Sequence, residues 1–172
     1  DVKIRAHSLA VSFVQPFKVR NKLASIRLLV PFSVADWSGL LSGEPAAVNR
    51  TGFGDPRIRA SVLLAGPPAG NALEVRQYRL DNPTSTSFGV SLAITVPLGE
   101  YFEDKLLNLG GNRFVFRPQV GMIHYWGTWS FELTGSVFLY TQNPDFFNDA
   151  ERDQKPTFAM QSHLVKQLRG GA

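Results

Sequence analysis

The chain contains no cysteine, so neither a disulfide framework nor thiolate chemistry is available to it. That absence fixes no compartment, although it suits a periplasm where stray thiols are oxidised. No stretch approaches the ~20 apolar residues of a membrane helix. This excludes helical spans only, because the strands of a membrane barrel are half polar and escape hydropathy scans. Helical period is missing as well: "EDKLLNLG" (Glu103–Gly110) makes one turn at most. The formal charge of +4 is mild, and the basic residues are scattered with no binding motif, which gives no nucleic-acid footprint. His7, His124 and His163 lie on separate segments without metal-ligand spacing. No serine sits in a Gly-x-Ser-x-Gly elbow, and "GPPAG" lacks the lysine of a phosphate loop. The expectation is a protein without metal, cofactor or catalytic residue, and not an enzyme. The chain opens at "DVKIRAHSL" with no signal peptide, which leaves a removed leader and an upstream truncation equally open.

What is present is alternation. Seven segments carry period two, and Thr84–Leu98 is the cleanest. Thr86, Phe88, Val90, Leu92, Ile94, Val96 and Leu98 share one face; Ser85, Ser87, Gly89, Ser91, Ala93, Thr95 and Pro97 share the other. One face is bulky and apolar and the other small and polar, as in a strand between unlike surroundings. Ala24–Val34, Asp55–Gly66, Asn112–Tyr125 and Trp129–Thr141 repeat the pattern, and Ala6–Phe17 and Pro156–Leu168 repeat it more weakly.

Most of these segments are about twice the usual strand length of roughly 5–6 residues, whereas a tilted membrane strand needs roughly 9–11. Short connections fall near Lys18–Asn21 and at Gly127–Thr128, and long ones at Ala35–Gly54, Gly99–Gly111 and Gln142–Lys155. Outer-membrane barrels alternate short periplasmic turns with long outer loops in this way. The link Pro67–Pro83 breaks the rule, being long on the short side. The fold class expected is all-β: an antiparallel up-and-down transmembrane β-barrel of outer-membrane type. Barrels of this kind have an even strand count. Seven visible strands therefore predict a single barrel domain over residues 1–172 that lacks upstream and downstream strands. Parity alone leaves a soluble, lipocalin-like barrel with an apolar ligand inside as the alternative.

Arg27, Arg57, Arg59, Arg113 and Arg117 fall on the polar face together with Asp55 and Glu132. In a membrane barrel that face lines the lumen, since arginine on the lipid side costs roughly 2–4 kcal/mol at the midplane. The row either attracts anions and sets selectivity or pairs with the acids and braces the interior. Trp37, Tyr125, Trp126 and Trp129 sit near strand ends, where an aromatic girdle meets the lipid–water boundary; a cross-strand aromatic pair would look the same. Glu100, Glu103, Asp104 and Lys105, followed by Gly110-Gly111, read as a solvated loop, since no third ligand accompanies the acids for calcium.

Three stretches carry a family likeness. "TGFGDPRIRASVLL" (Thr51–Leu64), "VPLGEYFEDKLLNLGGNRFVFRPQVG" (Val96–Gly121) and "FLYTQNPDFFND" (Phe138–Asp149) resemble the MetA-pathway phenol-degradation family of bacterial outer-membrane proteins. The pattern is Gly-x-Gly-Asp at Gly52–Asp55, Pro-x-Gly-x-Tyr at Pro97–Tyr101, Asn-Leu-Gly-x-Asn-Arg at Asn108–Arg113 and Pro-x-x-Gly at Pro118–Gly121. The resemblance implies an outer-membrane channel or transporter in a longer chain, encoded with aromatic-compound degradation in some bacteria, and brings no catalytic residue. The expected function is passive passage of small, aromatic or hydrophobic compounds. The expected partners are outer-membrane lipid and a small solute, with no nucleic acid. An outer-membrane lipid hydrolase ranks last, for want of a nucleophile.

Overall fold

The computed structural model describes residues 3–41, 44–147 and 150–168. Strand β1 (Lys3–Val19) reverses at Arg20 and Asn21 into β2 (Lys22–Leu41). Both turn residues have positive φ, 46° and 62°, as a two-residue type I′ hairpin requires, and asparagine tolerates this better than most residues. β2 has two successive partners: Phe32–Leu41 pairs with β3 (Glu44–Phe53), and Ala24–Leu29 with β4 (Arg57–Ala65). β3 and β4 therefore occupy one lane, interrupted at Gly54, whose N–H donates to the Pro31 carbonyl at 3.0 Å.

A helix α1 (Ala72–Asp81) then leads to β5 (Thr84–Thr95), β6 (Val115–Trp126) and β7 (Trp129–Tyr140). A small hairpin of β8 (Asn143–Phe146) and β9 (Ala150–Arg152) precedes β10 (Thr157–Lys166). The main sheet runs β1-β2-β4-β5-β6-β7-β10, each lane antiparallel to the next. It is half of an up-and-down barrel, with seven lanes where the sequence predicts seven strands.

Two connections differ from expectation. Ala35–Gly54 is not a long loop but the far end of β2 returning as β3. Small and polar residues there follow no two-faced pattern, and pairing to a neighbour rather than amphipathicity holds them extended. The unexplained link Pro67–Pro83 holds α1. The Asn71 side chain accepts from the Leu73 and Glu74 N–H groups while Glu74 accepts from the Asn71 N–H, a reciprocal cap. None of its residues is buried, so no apolar stripe betrays the helix in the sequence.

Burial is inverted. The buried apolar side chains among the described residues are alanines only (Ala24, Ala35, Ala69 and Ala93), while Ser130, Ser136 and Asn143 are equally enclosed. Phe13 is 61% exposed, Leu92 43% and Val120 51%. Cross-strand pairing lines up Phe13, Leu28, Ile58, Ile94, Phe116 and Leu139 in one row over six lanes. On the other face Ser25, Ser61, Ser91, Gln119 and Ser136 form a parallel row. Ser25, Ser61, Ser91 and Gln119 line a recess of about 390 Å³, so the small polar face is the concave one. The bulky side chains point outward from the wall. A soluble ligand-binding barrel would have packed them in a dry centre.

Candidate functional site

The concave wall places three of the five arginines at one level. Arg27 stands opposite Arg59, Arg59 opposite Ala93, and Ala93 opposite Arg117. Like charges directly opposite on neighbouring strands are destabilising, so this level needs compensation. Arg57 lies two residues along β4 from Arg59 and its Nε donates to Thr95 Oγ1 at 3.4 Å. Arg117 Nε donates to Ser136 Oγ at 3.1 Å, and its guanidinium lies 4.5 Å from the Phe138 ring centre. Phe138 was absent from the sequence-derived set. Its signal is parity: it shares the face of Thr134 and Ser136, where an aromatic ring is out of character.

The acids do not meet this level. Glu132 pairs with Ile123, six residues along β6 from Arg117, a separation of roughly 20 Å at about 3.4 Å per residue. Asp55 is occupied elsewhere, with Oδ1 accepting from the Gly99 N–H at 2.9 Å and Oδ2 from the Gly111 N–H at 2.7 Å. Among the described residues the one ion pair joins Lys105 to Asp104. No carboxylate there braces Arg27, Arg57, Arg59 or Arg117.

Arg113 lies apart from the row. It precedes β6, is 8% exposed, donates from Nη2 to Gln154 Oε1 at 2.6 Å and covers the Tyr140 ring at 4.5 Å. Burial pushes its pKa down from the usual guanidinium value; nearby Arg152 pushes the same way and Tyr140 opposes. Arginine remains cationic at neutral pH all the same.

Around it the family motifs converge. A Cβ on Gly99 would come within 2.6 Å of the Gly54 carbonyl carbon, and one on Gly110 within 2.9 Å of Gly99, so these backbones touch. The Glu100 N–H donates to Phe53 O at 2.8 Å, and the Gly110 N–H to Glu100 O at 2.9 Å. Asn108 closes the loop between them through the Phe102 N–H and the Phe102 and Lys105 carbonyls. Asn143, 1% exposed, was also missed by sequence reasoning; its side chain donates to Tyr101 Oη and accepts from Asn112 Nδ2. Gly52–Asp55, Pro97–Tyr101 and Asn108–Arg113 build a loop-end junction, whereas Pro118–Gly121 lies within β6. The third family-like stretch ends at residues 148–149, which lie outside the described residues.

The aromatic residues divide between the faces. Trp126 pairs with Trp129 across the tight turn at Gly127, on the convex side. The His124 ring stacks on Trp126 at 5.4 Å, and Lys166 Nζ lies 5.0 Å from the Trp129 ring centre. Alternation turns Tyr125 to the concave side, where its hydroxyl accepts from Arg79 Nη2 at 2.8 Å and its ring lies under the same guanidinium. Arg79 belongs to α1, so Tyr125 anchors the helix at the turn end of the wall. Trp37 stands inside β2, opposite Ile4 and Val48, because the strand continues past it.

A tall antiparallel wall with aliphatic side chains outside and serine and arginine within defines a class: the outer-membrane-type β-barrel proteins. Residues 1–171 match the family described as MetA-pathway of phenol degradation, and the chain belongs to that family. Its fold is similar to that of an outer membrane channel from Pseudomonas putida F1, with a TM-score of 0.77 at 22% identity. The match covers 99% of this chain and 58% of the channel's chain. No curated protein matches it significantly in sequence.

Proposed function

We propose that the chain forms part of the wall of a passive channel in the bacterial outer membrane, passing small aromatic or other hydrophobic compounds along a basic lining. The observation that carries this reading is the inverted burial: Leu92 and Val120 exposed on the convex face while Ser136 is buried on the concave one. Lipid solvates the first set, and the second lies beneath the polar side chains that face the lumen, with Arg117 over Ser136. Arg27, Arg57, Arg59 and Arg117 supply the positive lining; Glu132 lies on the same wall nearer the turn end. Trp126 and Trp129, with Lys166, suit the lipid–water boundary. In a closed barrel the edge lanes β1 and β10 are both paired. Family membership and the channel-like fold support passage rather than catalysis.

Reconstitution into planar bilayers tests this. Discrete conductance with anion preference is expected, and Arg59→Ala with Arg117→Ala should bring the anion-to-cation permeability ratio toward unity. A correctly inserted protein that conducts nothing would overturn the channel reading, and unchanged selectivity would overturn the basic lining.

A further inference from the structure

We propose that the Arg27–Arg59–Arg117 level is a binding subsite for small organic anions with a flat apolar body, of which an aromatic carboxylate is the simplest. The inference rests on the concave wall being a lumen, and it adds what that lumen selects.

Lanes lie ~4.8 Å apart, so the strands bearing Arg59 and Arg117 are separated by roughly 10 Å with only the Ala93 methyl between them. Arg117 leans to the β7 side, onto Ser136 and Phe138, which leaves space over the alanine lane for the flat body of a ligand whose carboxylate accepts paired N–H donors from a guanidinium. Nothing among the described residues fills it: Asp55 is bound to two backbone amides and Glu132 is several rows away. The wall thus holds a cross-strand pair of like charges, Arg27 opposite Arg59, whose repulsion an arriving anion would relieve.

Phe138 adds the second half of the recognition. It stacks with Arg117 at 4.5 Å, so a flat ring beside the carboxylate meets a planar guanidinium and an aromatic edge together. The neighbouring row is serine and glutamine, with Ser25 and Ser61 tied hydroxyl to hydroxyl at 2.9 Å. It opens into a recess of about 390 Å³ that Arg59 borders at one end and Glu132 at the other, with Arg27, Arg117 and Phe138 outside its lining. A simple anion such as acetate engages the charges alone, and a neutral aromatic engages Phe138 alone. Only the combined molecule uses both.

The test is interruption of single-channel current by benzoate, compared with acetate and benzyl alcohol, and benzoate titration of the same full chain in detergent micelles. Benzoate should act at a concentration about tenfold lower than either control. Arg59→Ala with Arg117→Ala should abolish that advantage, and Phe138→Ala should weaken benzoate while leaving acetate unchanged. Arg59→Lys keeps the charge without the paired donors and should fall between, which guards against a double variant that fails to fold. Equal potency of benzoate and acetate in a conducting channel overturns the subsite and leaves the channel reading standing. Benzoate binding that depends on Arg59 and Phe138 in a protein that does not conduct supports the subsite and sinks the channel.

Discussion

The loop-end junction and the concave wall are both polar, and they are polar in opposite ways. At the junction most groups are answered from within the chain: Asp55 by Gly99 and Gly111, Asn143 by Tyr101 and Asn112, and Arg113 by Gln154 and Tyr140, although its Nη1 is buried without a hydrogen-bond partner among the described residues. On the wall Arg27 faces Arg59. The recurrent glycines, asparagines and acids of the family pattern therefore mark the framework that joins β3, β5 and β6. The solute-facing Arg57, Arg59 and Arg117 lie inside the same stretches but outside the patterned positions, and Gln119 fills an x position of Pro-x-x-Gly. A dense motif in this chain signals close backbone packing, and an uncompensated charge signals room left for something else.

The sharpest way to break that contrast is to crowd the junction. Gly99→Ala places a methyl 2.6 Å from the Gly54 carbonyl carbon and 2.7 Å from the Asp55 nitrogen, against backbone that pairing holds in place. The expected loss is about 3 kcal/mol or more, the upper end of what overpacking costs. It should show as a lowered denaturant midpoint and a heat-modifiable gel shift that begins at lower temperature. Wild-type behaviour would mean that the motifs pack loosely and that their role lies elsewhere.

A smaller effect separates the two faces of the wall. Leu92→Arg directs a cation into the lipid, at a cost of roughly 2–4 kcal/mol if the residue sits near the midplane. Gln119→Arg, on the concave side, should alter stability little and raise anion preference. Denaturation from the same lipid vesicles measures both. Equal costs would remove the distinction between inside and outside on which the lumen depends.

Legibility followed the same division. The wall could be read because lipid and water impose one rule on every strand that crosses: Thr84–Thr95 keeps a bulky face and a small one throughout. Beyond that zone the rule lapses. Trp37 lies on the far end of β2, past Val34, where no alternation announces the strand, and α1 is an exposed helix whose only written sign is its cap, Asn71 with Glu74 three residues later. The level shared by Arg27, Arg59 and Arg117 was half visible. Parity put them on one face, but only the pairing register shows that they stand side by side and that Arg113 does not. Phe138 and Asn143 needed the fold, since what matters about each is a partner distant in sequence.

The smallest effect discriminates most directly between a lining and a brace. If Arg27 is unbraced, Arg27→Ala removes a like-charge neighbour of Arg59 and deletes no partner. Stability should then stay within about 0.5 kcal/mol of wild type, with the sign favouring the variant, because directly opposed like charges cost energy on a sheet. Salt supplies an independent check. Wild-type stability should rise between low ionic strength and about 0.5 M salt, where the screening length drops well below the ~10 Å of 0.1 M, and the variant should respond less. A loss above about 1 kcal/mol would be the signature of a severed pair. Arg27 would then be holding an acid, the wall would resemble the junction, and the opening for an anion would be closed.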